Sequence, residues 1–499
     1  MVIGVERRVW QQSVLLAAAL FVLGLAIFRA GSQSITVDEA TSYFWWASGS
    51  TYSPWFPSSN NHVLNSMLMW LSTHAFGVSS LTVRMPALLG AALYISICYF
   101  LCRSLTGRFS LQLAVFLCLI YNPFILDFMV AARGYGLANA FLLAAIAVPL
   151  WHHLAPGASL SKSCTWASLA LGLSFTANFS FAFVDAAVFL GIAIWALRIR
   201  GNDSSLRILG FCVLPGLSVA LLLCGYPLTH WPSGELWYGA HSLQEMERSL
   251  IEPSLHQLDP RFHDSGWYKT IHPLRAHLLP YAGILCITQL VVAALDGSFL
   301  KQPHQRWLPK FAATLAAVAI LTILLHWVAF RFDNLPLPKA RTGIFLLPIF
   351  TLIAAALAAS PARSLISQCL RIGATVALFC VAAYFLLCLR VSYFEEYQWD
   401  QDVKDVYSVL AGLNHDSGIT DVAVSDLYHA PLNFYRVVSG RETFPEFTEI
   451  SDELHPAPGK SVYVMGVTYH QAFIDAEKLK VIYHGKSTDV VVAVRPVGP

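Results

Sequence analysis

The sequence predicts a polytopic α-helical membrane protein that ends in a small soluble α/β domain, and two observations predict it. The first is composition: of 499 residues, 56% are hydrophobic and only 12% charged, about half the charged fraction of a soluble globular chain. So few charges cannot coat a water-facing surface of this size unless lipid covers most of it. The second is how the charge is spread. Residues 392–499 hold 8 Lys or Arg against 16 Asp or Glu, whereas residues 1–391 hold 24 against 14. Two regions of opposite sign imply two different solvents. No basic cluster is interleaved with aromatics in a polar setting, which argues against nucleic acid as a partner.

A helix needs about 20 mainly apolar residues to cross the hydrocarbon. On that scale the chain offers about eleven transmembrane helices, at 10–28, 82–101, 109–126, 134–154, 164–181, 183–197, 206–226, 274–295, 308–330, 342–359 and 372–391. Asn178 and Asp185 break the otherwise continuous apolar stretch 164–197 in two. The first span is longer than the apolar core of a signal peptide and reads as an uncleaved anchor. With the N-terminus in the cytoplasm, most short-loop cations, among them Arg7, Arg8, Arg103, Arg108, Arg198 and Arg371, gather on the inner side. An odd number of spans then places residues 392–499 outside. The expected setting is the bacterial inner membrane, with the C-terminal domain in the periplasm. All ten cysteines precede Ser392, mostly inside apolar runs and without zinc spacing, so they read as packing residues.

The transmembrane domain, 1–391, carries three outer loops at 31–76, 227–272 and 331–341. The first ends in an amphipathic helix over Val63–Phe76. In the tail, 392–499, residues 400–413 have helical spacing, and 421–425, 461–467, 480–483 and 489–494 read as strands. No Gly-rich phosphate loop accompanies them.

Chemistry concentrates on the outer face. Asp38 and Glu39 follow the first span directly, and a carboxylate there is either a solvated loop residue or a reactive group. Asn61 and His62 lie a few tens of residues on and can return amides and an imidazole to the same cleft. Arg133, Arg331, Lys339 and Arg341 stand where the topology bias disfavours positive charge. Cations in such places usually have a partner. A phosphate suits arginine geometry best, and headgroup snorkelling is the bland alternative.

These residues give the chain its resemblance to the polytopic GT-C glycosyltransferases, in the branch of protein O-mannosyltransferases and bacterial lipid-A aminoarabinose transferases. The resemblance is carried by Asp38-Glu39 after the first span and by the Asn-His-Val-Leu stretch 61–64, where relatives often show His-Pro-Pro-Leu. It continues in Val-Arg-Met-Pro-Ala-Leu-Leu-Gly at 83–90 and Ala-Arg-Gly-Tyr at 132–135, with a weaker echo in Arg341 followed by Pro348. It covers the first third of the chain well and the tail only in architecture. Val63 and Leu64 stand where the family has prolines, which leaves the role of His62 open.

The resemblance implies transfer of a sugar from a polyprenyl-phosphate-linked donor to a hydroxyl of a saccharide, lipid or protein acceptor at the outer face. Asp38 would be the general base and Glu39 a second carboxylate, orienting the acceptor or a metal. Arg133 and Arg341, then Arg331 and Lys339, would meet the phosphate, with Asn61, His62 and Tyr135 positioning the substrates. A divalent metal ion is allowed as a cofactor but required by nothing in the residues. A lipid-linked oligosaccharide ligase or polymerase is the nearest alternative, leaning on Arg248 and Arg261 of the second outer loop. A transporter would instead place ionisable residues at mid-bilayer and show inverted repeats; neither is evident. A structural scaffold is the remaining alternative.

Overall fold

The computed structural model describes residues 2–49, 53–155, 157–255, 307–361, 364–440, 444–450 and 459–496, with a few isolated positions between 256 and 306. The membrane part begins with α1 (Val2–Ser32), α2 (Val37–Ser42), a π-helical turn (Tyr43–Ala47), α3 (Val63–Phe76), α4 (Ser80–Leu105), α5 (Phe109–Ile120) and α6 (Pro123–Phe128). It continues with α7 (Tyr135–Leu154), α8 (Leu160–Ala177), α9 (Ala182–Ile199), α10 (Ser205–Thr229) and α11 (Leu243–Leu255). Then come α12 (Trp307–Asp333), a 3₁₀ turn (Ala340–Gly343), α13 (Leu346–Ala359) and α14 (Leu365–Leu387).

Among the described residues, eight helical stretches are long and apolar enough to cross a membrane. They coincide with eight of the segments expected from hydropathy. Two further expected spans are helical but fall short of that standard. α5 stops at Ile120 because Asn122 caps a new helix, accepting from the N–H groups of Phe124 and Ile125, with Pro123 at its first position. α8 is too polar on average, but it packs between α7 and α10. Apart from four isolated positions, the expected span 274–295 lies outside the described residues. The division of 164–197 holds: Asn178 caps the short turn Phe179–Phe181 through the Ser180 N–H.

Small residues set the helix crossings, as expected where lipid removes the hydrophobic drive for association. A Cβ on Gly90 of α4 would lie 2.6 Å from the backbone nitrogen of Leu137 in α7. One on Gly172 of α8 would lie 2.5 Å from the Gly216 oxygen of α10, which Ser168 Oγ further ties by accepting the Gly216 N–H at 2.9 Å. α3 buries the polar Asn65, Ser66, Ser72 and Thr73 together with Val63 and Met69, and turns Trp70, Leu71 and Phe76 outward, Phe76 being 70% exposed.

The tail is a three-layer α/β unit. A 3₁₀ turn (Glu395–Asp400) leads into α15 (Val403–Ser417), β1 (Val422–Val424), α16 (Asp426–Val438), β2 (Thr448–Glu449), β3 (Val462–Gly466), α17 (Val467–Ala476), β4 (Lys480–His484) and β5 (Val490–Val494). The sheet runs β2-β1-β3-β5-β4, parallel through β2, β1 and β3 and antiparallel at β5 and β4. Alternation sends Val422, Val424, Val462 and Val464 towards α15 and α16, and Ala423, Tyr463 and Met465 towards α17. The core under α15 and α16 continues into the membrane part through Ile35, Ala40, Tyr43, Met69, Val83 and Ala132. The tail is therefore docked on the end of the bundle where α1 finishes and α7 begins.

Candidate functional site

The segment after α1 is fixed by a capping box: Thr36 Oγ1 accepts the Glu39 N–H at 3.2 Å, and Glu39 Oε2 accepts the Thr36 N–H at 2.9 Å. This starts α2 at Val37, whose N–H is held at 2.9 Å by Asp400 of the tail. Asp38 and Glu39 then diverge, since adjacent helical side chains point about 100° apart.

Glu39 faces inward and is fully buried. Arg84 donates to it from Nε at 2.9 Å and from Nη2 at 2.7 Å, and the Ala132 N–H donates at 2.8 Å. Arg84 also donates to the carbonyls of Ala30, Gln33 and Ser34 and lies over the Phe394 ring at 5.2 Å. Both Glu39 oxygens are thus spent on the scaffold. Through them Glu39 joins α2, α4 and the segment just before α7.

Asp38 is turned away from Glu39 and partly open, its side chain 21% exposed. Arg341 Nη2 stands 3.2 Å from Asp38 Oδ2 and Arg133 Nε 3.5 Å from the same oxygen. The Tyr397 hydroxyl donates to it at 2.7 Å and itself accepts from Arg341 Nη1 at 2.8 Å. Burial would raise the Asp38 carboxyl, but Arg133, Arg341 and the Tyr397 hydroxyl outweigh it and hold the group at about 2, so it is ionised.

The two arginines reach Asp38 from separate elements. Arg133 precedes Gly134, which takes φ +75° and whose Cβ, if present, would lie 2.1 Å from the Ala177 oxygen, so only glycine fits. Arg133 also donates to Ser42 Oγ at 2.7 Å and to Asn60 Oδ1. Arg341 sits in the turn before α13, between the rings of Tyr238 at 4.9 Å and Tyr397 at 5.7 Å. Its other ionic neighbour is Glu396 at 3.7 Å.

The remaining candidates divide. His62 is buried beside the cluster, its ring edge-on to Tyr135 at 5.6 Å. Asn178 Oδ1 accepts the Ser180 N–H at 3.0 Å, which turns its amide nitrogen towards His62 Nε2 at 3.4 Å. Burial, followed by Arg133 and Arg341, holds the imidazole well below its ordinary value and hence neutral. Asn61 is not turned to the cleft: its amide donates to the carbonyls of Pro54 and Phe56, and its oxygen accepts from Ser66, so it shapes the loop. Lys339 pairs with Glu245 at 2.9 Å, and Arg331 is exposed near the end of α12. Neither makes a hydrogen bond or ion pair with Asp38. Arg248 pairs with Glu252 on the exposed side of α11, and Arg261 lies outside the described residues.

Sequence reasoning missed Tyr238, Glu396 and Tyr397. Tyr238 donates to Glu396 at 3.0 Å. The turn that carries Glu396 and Tyr397 is anchored at one end by Asp127, which accepts the Glu395 N–H at 3.1 Å and binds Arg29 at 2.6 Å and Arg390 at 2.8 Å. Among the described residues no group of three or more His, Cys, Asp or Glu side chains could hold a metal ion.

No protein-family model matches the chain, and no curated protein does either. It is similar in overall path to several solved structures. ArnT from Cupriavidus metallidurans bound to undecaprenyl phosphate shares 12% identity over 98% of this chain and 99% of that one, with a TM-score of 0.41. Arabinofuranosyltransferase AftD from Mycobacteria shares 14% over 98% of this chain and 40% of that one, with a TM-score of 0.46. The Archaeoglobus fulgidus oligosaccharyltransferase in complex with Zn and sulfate shares 13% over 97% and 73%, with a TM-score of 0.38. These neighbours are GT-C glycosyltransferases, the class that the sequence motifs resemble.

Proposed function

We propose that the chain is a membrane glycosyltransferase that moves a sugar from a polyprenyl-phosphate donor to an acceptor hydroxyl, at the periplasmic face where the tail docks. One observation carries the reading: an ionised carboxylate, Asp38, held between Arg133 and Arg341 just beyond the ends of apolar helices. A lipid-linked phosphate reaches water at that level, and two guanidinium groups are suited to grip it.

In the proposed step the acceptor oxygen attacks the anomeric carbon of the donor. The bond from that carbon to the phosphate oxygen breaks, and the hydroxyl proton passes to Asp38. The lipid phosphate leaves with one more negative charge than it brought, and Arg133 and Arg341 stabilise that charge without reorganising. The same two arginines suppress the basicity of Asp38 while no donor is bound. When they turn to phosphate oxygens, the carboxylate loses its two strongest cationic partners and becomes a better base, so donor binding itself readies it. The surroundings of His62 leave a neutral imidazole in contact with the same cleft, suited to hydrogen bonding rather than to charge.

The test is mass spectrometry of products after the purified protein is mixed with a panel of polyprenyl-phosphate sugars and a cell-envelope acceptor extract. Lipid phosphate should be released in step with sugar transferred, and Asp38→Asn should slow both by a factor of about 10²–10⁴. Turnover only when polyprenyl-diphosphate-linked saccharides are added to the panel, with lipid diphosphate released, would favour the oligosaccharide ligase, and no turnover with any donor would refute the reading.

A further inference from the structure

The cluster around Asp38 contains two guanidinium groups, Arg133 and Arg341, and two carboxylates, Asp38 and Glu396. The second carboxylate is supplied by the turn Glu395–Asp400, far along the chain from α2. Glu396 Oε1 accepts from the Tyr238 hydroxyl at 3.0 Å and stands 3.7 Å from Arg341 Nη1. Its Oε2 is buried and has no hydrogen-bond partner among the described residues. The other charged groups acting on it are Asp38 on α2 and Asp127 on α6, both of which repel it. Burial, ahead of the attraction of Arg341, raises the Glu396 carboxyl above its ordinary value. An oxygen left without a donor and a single cation at ionic distance make this a weakly held anion.

Adding a donor phosphate places a third anion against two cations. The cluster regains neutrality when Glu396 withdraws or takes up a proton. The turn is held at its ends and at Tyr397, and Glu396 is the acidic side chain between these holds. Glu395 is anchored by Asp127, and Asp400 holds the Val37 N–H at 2.9 Å. Between them the backbone leaves the helical range at Tyr397, with φ −135° and ψ 42°. We propose that Glu396 is a built-in competitor for the donor, occupying Arg341 until a lipid phosphate displaces it and so setting the affinity of the site for anionic lipid. This rests on the reading above that Arg341 grips that phosphate.

The experiment measures binding of undecaprenyl phosphate, with undecaprenol as the uncharged control, by native mass spectrometry of the detergent-solubilised protein. The variants are Glu396→Gln, Arg341→Gln and the double variant. Gln still accepts from Tyr238 but no longer competes by charge; Glu396→Ala replaces it should the Gln protein fail to accumulate. Glu396→Gln should bind the phosphate about tenfold more tightly than the wild type, the worth of one charge-assisted contact. Undecaprenol binding should not change, and the gain should vanish in the double variant. Equal or weaker phosphate binding by the single Glu396 variant, with Arg341→Gln still losing it, overturns the competitor and leaves the function standing. Phosphate binding unaffected by Arg341→Gln removes the reading on which the competitor rests, and the competitor with it.

Discussion

Replacing Glu39 with Gln separates a structural carboxylate from a reactive one. Each Glu39 oxygen takes two donors: Oε1 from Arg84 Nε and the Ala132 N–H, Oε2 from Arg84 Nη2 and the Thr36 N–H. Gln keeps one oxygen and turns an NH₂ group, on either side, against two donors it cannot satisfy. Arg84 is left as a buried cation without its counter-ion, which costs about 3–5 kcal/mol where one partner of a buried pair is removed. The three carbonyls that also accept from Arg84 place the loss at the low end, about 3 kcal/mol, a large share of a total of about 5–15 kcal/mol. Asp38→Asn is cheaper. Lowering the carboxyl from 3.8 to about 2 corresponds to about 2 kcal/mol, and solvent screening of a side chain 21% exposed reduces this to about 1 kcal/mol. The assay is denaturant unfolding of the purified protein in detergent, followed by tryptophan fluorescence, beside a turnover measurement. Glu39→Gln should lose about 3 kcal/mol, with turnover falling only as the folded fraction falls. Asp38→Asn should unfold near the wild type and lose a factor of about 10²–10⁴ in turnover. A Glu39→Gln protein with wild-type stability and no turnover would refute the assignment.

Gln at Arg133 or Arg341 should raise the donor KM at least about tenfold, with Lys rescuing Arg341 only in part. Gln at Arg331 or Lys339 should leave donor kinetics unchanged, and a shared effect across all four would show that net charge rather than geometry matters. Tyr397→Phe removes a charge-assisted hydrogen bond to Asp38 and should lower kcat/KM about tenfold, while unchanged kinetics would make that bond incidental. The depressed Asp38 carboxyl contributes stability that is complete above its unfolded value near 4 and is lost as pH falls towards about 2. For the same reason kcat/KM, which reports the free enzyme, should hold between pH 7 and about pH 4, and an acid limb at pH 5 or above would point to another base. Compartment reporters fused at Asp400 and Arg200 should read opposite sides, and agreement between them would overturn the proposed orientation.

The elements were legible where local rules decide them. Apolar stretches found the long helices, and Asn178 marked the break between α8 and α9 because its side chain caps the 3₁₀ turn that opens the second span. Asp38, Arg133 and Arg341 were legible because charge beside lipid is costly and stands out. Direction was not. Nothing in a linear reading says that Glu39 turns inward to Arg84, or that Lys339 turns to Glu245 while Arg341, two residues on, turns to Asp38. Tyr397 lies 359 residues from Asp38. Its segment, Tyr393-Phe-Glu-Glu-Tyr397, was counted as part of an acidic tail, although aromatic and acidic residues mixed at the foot of the last span were a signal in plain view.

The outward apolar face of α3 bears on the height of the site. Exposed Trp70, Leu71 and Phe76 suit a helix lying at the boundary between acyl chains and headgroups. From its buried side Asn65 donates to the Ala132 carbonyl at 3.0 Å, one residue before Arg133. If the proposed function holds, the guanidinium is tied to the leaflet as well as to the bundle, and thinning the bilayer or swapping it for a micelle would shift the water boundary against the site.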